Sequence, residues 1–291
     1  MPQRLNFIGC GQLGKTLGSL WHQSGSLVIG DILTRSGKSA QAAVDSIGAG
    51  RAVANIDDMQ SADLYLIASA DDAIEACSDA LAESGMLNAA NIVFHCSGSQ
   101  SSALLSACED QGAHTASIHP IKSFADVGLA VRSFAGTHCG AEGEPVALKL
   151  LSSLFEAIGA KLLPIHAEHK TLYHAASVIA SNYLVTLQEI SIQSFEQAGL
   201  SRTQAMQVLQ PIVSGTVDNV FTVGTHQALT GPIARGDSKV VAEQLAAIKA
   251  WESNFAEIYR LLGLASLPMA DAKNTNKPMD LDAMKAILNT L

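Results

Sequence analysis

The feature that most constrains this chain is a glycine motif at residues 9–14, directly after the apolar run at residues 5–8. Its spacing, G-x-G-x-x-G, is typical of a turn from a first strand into a helix: one glycine permits the turn, the next lets backbone approach a pyrophosphate, and the last allows close packing. The helix would present unpaired amides to the phosphates. The motif therefore predicts dinucleotide binding by Gly9, Cys10, Gly11, Gln12, Leu13 and Gly14.

Up to about residue 165 the chain alternates between short apolar runs and helical or Gly/Ser-rich segments. The runs lie at residues 5–9, 27–31, 64–68, 92–95, 115–119 and 161–165. Continuous apolar strands are typical of parallel sheets that are covered on both faces. With helices between them, they predict a doubly wound α/β sheet, that is, a Rossmann domain at residues 1–165.

The pattern becomes helical after residue 165. No glycine or proline occurs at residues 167–198, which predicts one long helix. Ser201, with Gln204 three residues later, predicts a capping box for the next helix. Asp237 is expected to cap a third long helix that ends at Gly263. We therefore predict an all-α substrate and dimerisation domain at residues 166–291.

Composition narrows the class of protein. Of the 291 residues 48% are hydrophobic and only 15% charged, and the net charge is -9. An acidic chain is a poor candidate for nucleic-acid binding. No apolar run is long enough for a membrane span, and the start lacks the apolar stretch of a signal peptide. Low charge on a chain of this size favours a homodimer.

The five cysteines are scattered and show no CxxC spacing. This usage indicates reduced thiols in a cytoplasmic protein, with neither a disulfide framework nor a metal site.

The end of the second strand decides between two nicotinamide cofactors. If that strand ends at Leu33, then Thr34, Arg35 and Ser36 meet a 2′-phosphate and the cofactor is NADP. If it ends at Gly30, the Asp31 carboxylate binds the ribose hydroxyls and NAD is favoured. We favour NADP, because the Arg-Ser pair leads into a helix.

Later strand ends are expected to line the same crevice, since ligands bind outside the carboxyl ends of such strands. Ala68 and Ser69 end one strand. Ser97 follows another, where it either binds cofactor or substrate or caps a helix.

Two histidines are candidates for proton transfer. His119 follows a strand and precedes Pro120, which fixes the backbone; it either serves a substrate or is a buried structural histidine. His174 shares a polar stripe with Lys170 on the predicted long helix, within about 60° around the axis. It is either the proton donor or acceptor, or a polar residue of a core or dimer interface.

Arg235 precedes Gly236 and Asp237 at the start of the third helix. It either binds a substrate carboxylate in bidentate fashion or belongs to a structural turn.

Several stretches together resemble a known superfamily. They are the glycine motif and residues 94–99, 117–120, 173–176, 181–183 and 229–237. The chain resembles the 6-phosphogluconate dehydrogenase-like superfamily, in particular a group that joins a Rossmann-like NADP-binding domain to a helical domain of unknown function. Relatives include prephenate dehydrogenase, pyrroline-5-carboxylate reductase and deazaflavin-dependent NADP reductases.

The resemblance implies an all-α dimerisation domain like the C-terminal domain of 6-phosphogluconate dehydrogenase. In several relatives a lysine and an asparagine one turn apart act as acid and anchor. Here Lys170 and Asn182 are the candidates, although their spacing departs from that pattern. The His119–Pro120 pair is similar to a substrate-pocket pair of prephenate dehydrogenases.

The motifs and the resemblance leave two alternative functions open. The first is an NADP-dependent oxidoreductase that transfers hydride between nicotinamide and a small, anionic carbonyl, hydroxyl or imine substrate. The second is a non-catalytic NADP(H)-binding or sensing protein with a helical dimerisation domain. Turnover of NADPH with some substrate distinguishes the first from the second.

Overall fold

A computed structural model describes residues 2–273 and 280–289 of the chain. The chain divides into two compact units, Met1–Ser181 and Asn182–Leu291. The predicted fold class, an α/β Rossmann domain followed by a helical part, is confirmed. The first unit ends later than residue 165, where we placed the domain boundary because the sequence pattern changes there. That boundary stays a prediction.

One eight-stranded sheet forms the centre of the first unit. Its strands are β1 (Gln3–Ile8), β2 (Leu27–Leu33), β3 (Arg51–Val53), β4 (Leu64–Ile67), β5 (Ile92–His95), β6 (His114–Pro120), β7 (His138–Gly143) and β8 (Lys161–Pro164). They are ordered β3-β2-β1-β4-β5-β6-β7-β8. All neighbours are parallel except β6 and β7. The order reverses between β1 and β4, where such sheets bind ligands.

The helices of the first unit are α1 (Gln12–Ser24), α2 (Gly37–Ile47), α3 (Ile74–Glu83), α4 (Ser106–Asp110), α5 (Val127–Arg132), α6 (Pro145–Glu156) and α7 (Lys170–Ala180). The core of one sheet face centres on Trp21 of α1, which packs edge-on against Phe94 and Phe155. Its indole nitrogen donates to the Leu154 oxygen at 2.9 Å. This packing anchors α1, and therefore the glycine turn before it, to the sheet.

All six predicted strands are present, and two further strands are not signalled by an apolar run. β3 has only three residues. β7 reads HCGAEG, in which two glycines and a glutamate break the apolar pattern. Gly143 is required there, because a Cβ on it would lie 2.5 Å from the Ala116 Cα. Pairing with β6, rather than an apolar sequence pattern, makes this segment a strand.

The second unit is helical throughout its described residues. Its helices are α8 (Asn182–Gln197), α9 (Arg202–Ala228), α10 (Gly231–Arg235), α11 (Ser238–Trp251), α12 (Ser253–Lys273) and α13 (Leu281–Leu288). The capping box of Ser201 and Gln204 is confirmed, as is the Asp237 cap.

Within residues 2–273 and 280–289, no helix combines the length and apolar character that a membrane crossing requires.

Two of the predicted long helices, the one at residues 167–198 and the one that Asp237 caps, are wrong in extent. The first is divided into α7 and α8 at Ser181, where φ is -114° and ψ is -67°. The third is interrupted at Glu252, which is extended, and continues through Gly263 instead of ending there. A Cβ on Gly263 would lie 2.8 Å from Leu288 of α13, so this glycine serves close helix packing rather than a cap.

Candidate active site

Gly9 forms the tight turn between β1 and α1. Its φ of +79° lies in the left-handed region, and a Cβ on it would lie 2.6 Å from the Ser69 nitrogen and 2.8 Å from the Ala68 oxygen. The Gly9 amide donates to the Leu33 oxygen at 2.8 Å. Only glycine tolerates both the dihedral and the contacts, so Gly9 brings together the ends of β1, β2 and β4.

The helix after this turn begins with backbone amides that no side chain caps. Gly11 is the N-cap residue of α1 and makes no side-chain cap hydrogen bond. A Cβ on Gly11 would meet nothing within 4 Å, whereas one on Gly14 would pack against Cys10 and Ala68. The first amides of a helix lack partners within it and attract anions. The start of α1 is therefore an open site for a phosphate group.

A cleft of about 290 Å³ opens in front of these amides. It is lined by Gly11, Gln12, Leu13, Gly14, Ala68, Ser69, Ala70, Asp71, Cys96 and Ser97. Seven of the twelve predicted cofactor residues thus line one cleft. The other five do not line it: Gly9, Cys10, Thr34, Arg35 and Ser36. Burial raises the pKa of the Cys10 thiol to about 12, so this side chain packs as a neutral group.

Strand β2 ends at Leu33, which is the alternative that favours NADP. Thr34, Arg35 and Ser36 follow directly. Ser36 caps α2 by accepting from the Ser39 amide at 3.2 Å, and the Thr34 and Ser39 hydroxyls lie 2.5 Å apart. The exposed Arg35 guanidinium has no ion-pair or hydrogen-bond partner among the described residues. Three hydroxyls, a free cation and a helix N-terminus therefore meet at the end of β2.

Asp31, the alternative ribose ligand, is fully buried and already has partners. Arg51 binds its carboxylate through two nitrogens, at 2.8 and 3.0 Å, and the Gln60 amide donates to it at 2.6 Å. Burial alone would raise the pKa of Asp31, but these hydrogen bonds outweigh it and lower the pKa. The carboxylate links β2 to β3. Both of its oxygens already accept hydrogen bonds, so it is not available to bind a ribose.

Two imidazoles converge at the end of β6. A Cβ on Gly98 would overlap Nδ1 of His174 and lie 2.9 Å from Nε2 of His119. The two ring centroids are 5.5 Å apart. Nδ1 of His174 is buried and has no hydrogen-bond partner in the described part of the chain. Because residue 98 is glycine, both ring nitrogens can lie close to its Cα.

Tyr173 holds one of these imidazoles. Its hydroxyl lies 3.1 Å from Nδ1 of His119. Burial raises the pKa of Tyr173 to about 12, although the Gly140 backbone amide acts in the opposite direction. Burial, followed by the neighbouring His174 and Lys170, lowers the pKa of His119 to about 4. His119 is therefore a neutral hydrogen-bonding group at pH 7.

Lys170, a predicted catalytic residue, lies behind the imidazoles with only 1% of its side chain exposed. Its Nζ donates to the Ser117 hydroxyl and, at 3.1 Å, to Glu142, which is also buried. Burial lowers the pKa of Lys170, and the Glu142 carboxylate opposes that shift. Glu142 in turn accepts from the Ser102 amide and hydroxyl at 2.9 and 2.8 Å. This ion pair joins α7, β7 and the loop after β5.

His95 extends the buried network toward the cleft. Its Nε2 donates to the Ser101 oxygen at 3.1 Å, because a carbonyl can only accept. Its Nδ1 is therefore the acceptor for the Ser97 amide at 3.1 Å and the Ser117 hydroxyl at 3.3 Å. Burial and the charge of Lys170 lower the pKa of His95 to about 4, which agrees with this neutral form.

Ser97 lines the cleft and also orders its own loop. Its hydroxyl donates to Asp71 at 2.8 Å and accepts from the Gln100 amide at 3.0 Å. Both alternatives predicted for Ser97, a ligand contact and a local structural role, are compatible with this position.

The first unit brings together His119, His174 and Lys170. Asn182 begins α8 and Arg235 ends α10, both in the second unit, so their roles stay predictions. Sequence reasoning did not identify Tyr173, His95, Ser117, Glu142 and Asp71 as site residues. His95 ends β5 and follows the rule that ligands bind outside the carboxyl ends of strands. Ser117 lies in the middle of β6, and Glu142 lies on a strand without an apolar signal.

Family models match both parts of the chain. Residues 2–120 match the Rossmann-like domain, and residues 137–266 match a domain of unknown function, DUF2520. The chain carries a Rossmann-like domain and a DUF2520 domain. The DUF2520 match begins before β7 and therefore includes Glu142 and Lys170. No curated protein matches the sequence significantly.

Solved structures share the fold over nearly their whole length. Protein TM1727 from Thermotoga maritima has 26% identity and a TM-score of 0.71, covering 92% of this chain and 99% of that one. The NADP-bound pyrroline carboxylate reductase of Plasmodium falciparum has 13% identity and a TM-score of 0.56, covering 94% and 98%. An imine reductase from Myxococcus stipitatus in complex with NADP+ has 15% identity and a TM-score of 0.62, covering 97% and 98%. The latter two similarities show a shared fold.

Proposed function

We propose that this protein is an NADP(H)-dependent oxidoreductase that acts on a small carbonyl or imine substrate. The observation that carries the proposal is the uncapped start of α1, which opens on a cleft at the point where the strand order reverses. Bare helix amides beside Gly11, which leaves room for a backbone–phosphate contact, fit a pyrophosphate. Bound NADP(H) would supply or accept the hydride. Structural neighbours that bind NADP and reduce imines support this choice.

We propose NADP rather than NAD because of the end of β2. The free Arg35 guanidinium and the hydroxyls of Thr34 and Ser36 suit a 2′-phosphate. Asp31, the group that would hold the unmodified ribose, is bound by Arg51 instead.

Replacing Arg35 by alanine should weaken NADPH binding by about tenfold to a hundredfold, since a hydrogen bond to a charged group contributes about 1.5–3 kcal/mol. Affinity for NADH, which lacks the 2′-phosphate, should stay the same. Calorimetric titration of both cofactors measures this change. The matched control is Arg132→Ala, an exposed arginine at the end of α5. Equal loss for the two cofactors would contradict the assignment.

The proton that accompanies hydride transfer is assigned to the imidazole pair, with His174 as the first candidate and His119 as the second. The support is the convergence of their ring nitrogens on Gly98 and the absence of a partner for Nδ1 of His174. Lys170 is better placed to support this pair than to touch a substrate, because Ser117 and Glu142 enclose its ammonium group. Asn182 and Arg235 belong to the second unit, and their roles toward a substrate stay predictions from the sequence.

His174→Ala should lower turnover by about a hundredfold or more, the usual contribution of a general acid or base, while NADPH affinity is unchanged. The assay is NADPH oxidation with a panel of 2-oxo acids and cyclic imines, with His138→Ala, an exposed histidine, as the control. Tight NADPH binding without turnover of any substrate would instead favour a sensing protein. Failure of both NADPH and NADH to bind would refute the proposed function as a whole.

We also propose a homodimer formed through the helical unit. All 27 residues of α9 are described, and Ala205 is its only buried one. Apolar side chains on this helix are exposed, including Met206 (57%), Ile212 (55%) and Phe221 (86%). Exposed apolar patches of this kind mark association surfaces. Sedimentation should give twice the 30.4 kDa chain mass, and Phe221→Glu should shift it toward one chain; a monomer at micromolar concentration would exclude the dimer.

The proposed location is the cytoplasm, where NADPH-dependent reductions and free thiols are both expected. All five cysteines of the chain are free.

A further inference from the structure

The two imidazoles of the site differ in what holds them. Nδ1 of His119 faces the Tyr173 hydroxyl at 3.1 Å, and its Nε2 faces Gly98. His174 presents Nδ1 to the same place, and that atom has no partner among the described residues. One ring is therefore fixed on its far side by a hydrogen bond, and the other is not.

The direction of the tyrosine hydrogen bond follows from the partners of the Tyr173 hydroxyl. Among the described residues, Nδ1 of His119 is the one acceptor within hydrogen-bond distance of this hydroxyl. A phenol whose proton has no other acceptor donates it to that nitrogen. The Tyr173 hydroxyl then donates to Nδ1 of His119, and a neutral imidazole that accepts at Nδ1 carries its proton at Nε2.

The neutral form of His119 has a physical cause. Burial is the largest cause, followed by the neighbouring His174 ring and the buried Lys170 ammonium. Together they lower the pKa of His119 to about 4, and the Asp71 carboxylate only partly opposes them. A histidine held neutral serves as a hydrogen-bond donor to a developing charge rather than as a source of protons.

We propose that Tyr173 is a positioning residue that fixes His119 as a neutral Nε2–H donor to the oxygen or nitrogen atom of the substrate, and that His174 alone transfers the proton. This proposal rests on the proposed reductase function. On reduction, the C=O or C=N double bond is replaced by a new C–H bond, whose two electrons arrive as hydride, and a new O–H or N–H bond, whose proton leaves His174. His119 keeps its proton throughout.

The assignment of His119 can be tested without any substrate. In protein with ¹⁵N-labelled histidine rings, long-range ¹H–¹⁵N spectra at pH 7 should show His119 with a protonated Nε2 and a bare Nδ1. The signal is identified by its loss in His119→Gln. Tyr173→Phe should give a mixture of tautomers, whereas Tyr183→Phe, an exposed tyrosine of α8, should change nothing. A proton on Nδ1, a charged ring, or no effect of Tyr173→Phe would overturn the proposal.

The separate roles of the two rings, hydrogen-bond donation by His119 and proton transfer by His174, are tested by amide substitutions. An amide keeps a neutral donor but cannot transfer a proton. The glutamine amide nitrogen replaces Nε2, so His119→Gln should keep kcat/KM within about tenfold while His119→Ala loses a hundredfold. The asparagine amide replaces Nδ1, so His174→Asn should fall as low as His174→Ala. Equal loss for His119→Gln and His119→Ala, or retained activity in His174→Asn, would overturn it. If no substrate is turned over, the reductase function fails while the tautomer spectra still decide the role of Tyr173.

Discussion

Replacing Lys170 by methionine is expected to lower the free energy of unfolding by about 3–5 kcal/mol, the usual cost of breaking a buried ion pair. The Glu142 carboxylate, 5% exposed, would lose its cation and remain buried with only the two donors of Ser102. Urea unfolding followed by circular dichroism measures the change. The matched control is Lys149→Met in α6, an exposed lysine whose loss should change stability by less than about 0.5 kcal/mol.

A second variant separates the charge from the packing. In Lys170→Met with Glu142→Gln no buried charge is left unpaired, so much of the lost stability should return. If the single variant is as stable as the wild type, Lys170 is not held in a buried ion pair. If the double variant is no more stable than the single one, the unpaired carboxylate is not the cause of the loss.

Gly98→Ala is expected to lower turnover by about a hundredfold, the effect that a displacement of about 1 Å can have on a reacting group. The backbone at residue 98 is not in the left-handed region, so alanine is permitted there. Its methyl group would overlap Nδ1 of His174 and lie 2.9 Å from Nε2 of His119. One or both rings must move, whereas the glycine turn at the start of α1 is untouched.

The measurement pairs steady-state kinetics with NADPH titration, and the affinity for NADPH should change little. The control is Gly128→Ala, where the new methyl group has only ordinary contacts at 3.4 Å with Arg132 and Asp126. Unchanged turnover in Gly98→Ala would mean that the space between the two rings is not where the substrate reacts.

Local signals in the sequence were enough to find the cleft at the start of α1 that we propose as the cofactor site. The glycine motif predicts the turn at Gly9 because only one residue type permits that dihedral, and this relation does not depend on the rest of the fold. The capping residues Ser201 and Asp237 act within three residues along the chain, and both are confirmed. The end of β2 at Leu33 was one of two alternatives, and the structure favours it.

The proposed reaction site could be predicted only in part from the sequence. His119 and His174 were candidates because of their positions on a strand and a helix, but nothing local shows that their nitrogens meet over Gly98. Glu142 could not be identified, because β7 lacks the apolar pattern of a strand. The break at Ser181 was not predicted either, since neither glycine nor proline marks it.

By itself the sequence determined the Rossmann class, the glycine turn, the helical second half and the helix caps. These features follow from backbone dihedrals, side-chain periodicity and hydrogen bonds between near neighbours in the chain. Only the tertiary structure decided three contacts. Lys170 is buried in an ion pair with Glu142, the Tyr173 hydroxyl is hydrogen-bonded to His119, and the Asp31 carboxylate is paired with Arg51. Those contacts join residues from 20 to 54 positions apart, and their charges and hydrogen bonds depend on a burial that no local pattern encodes.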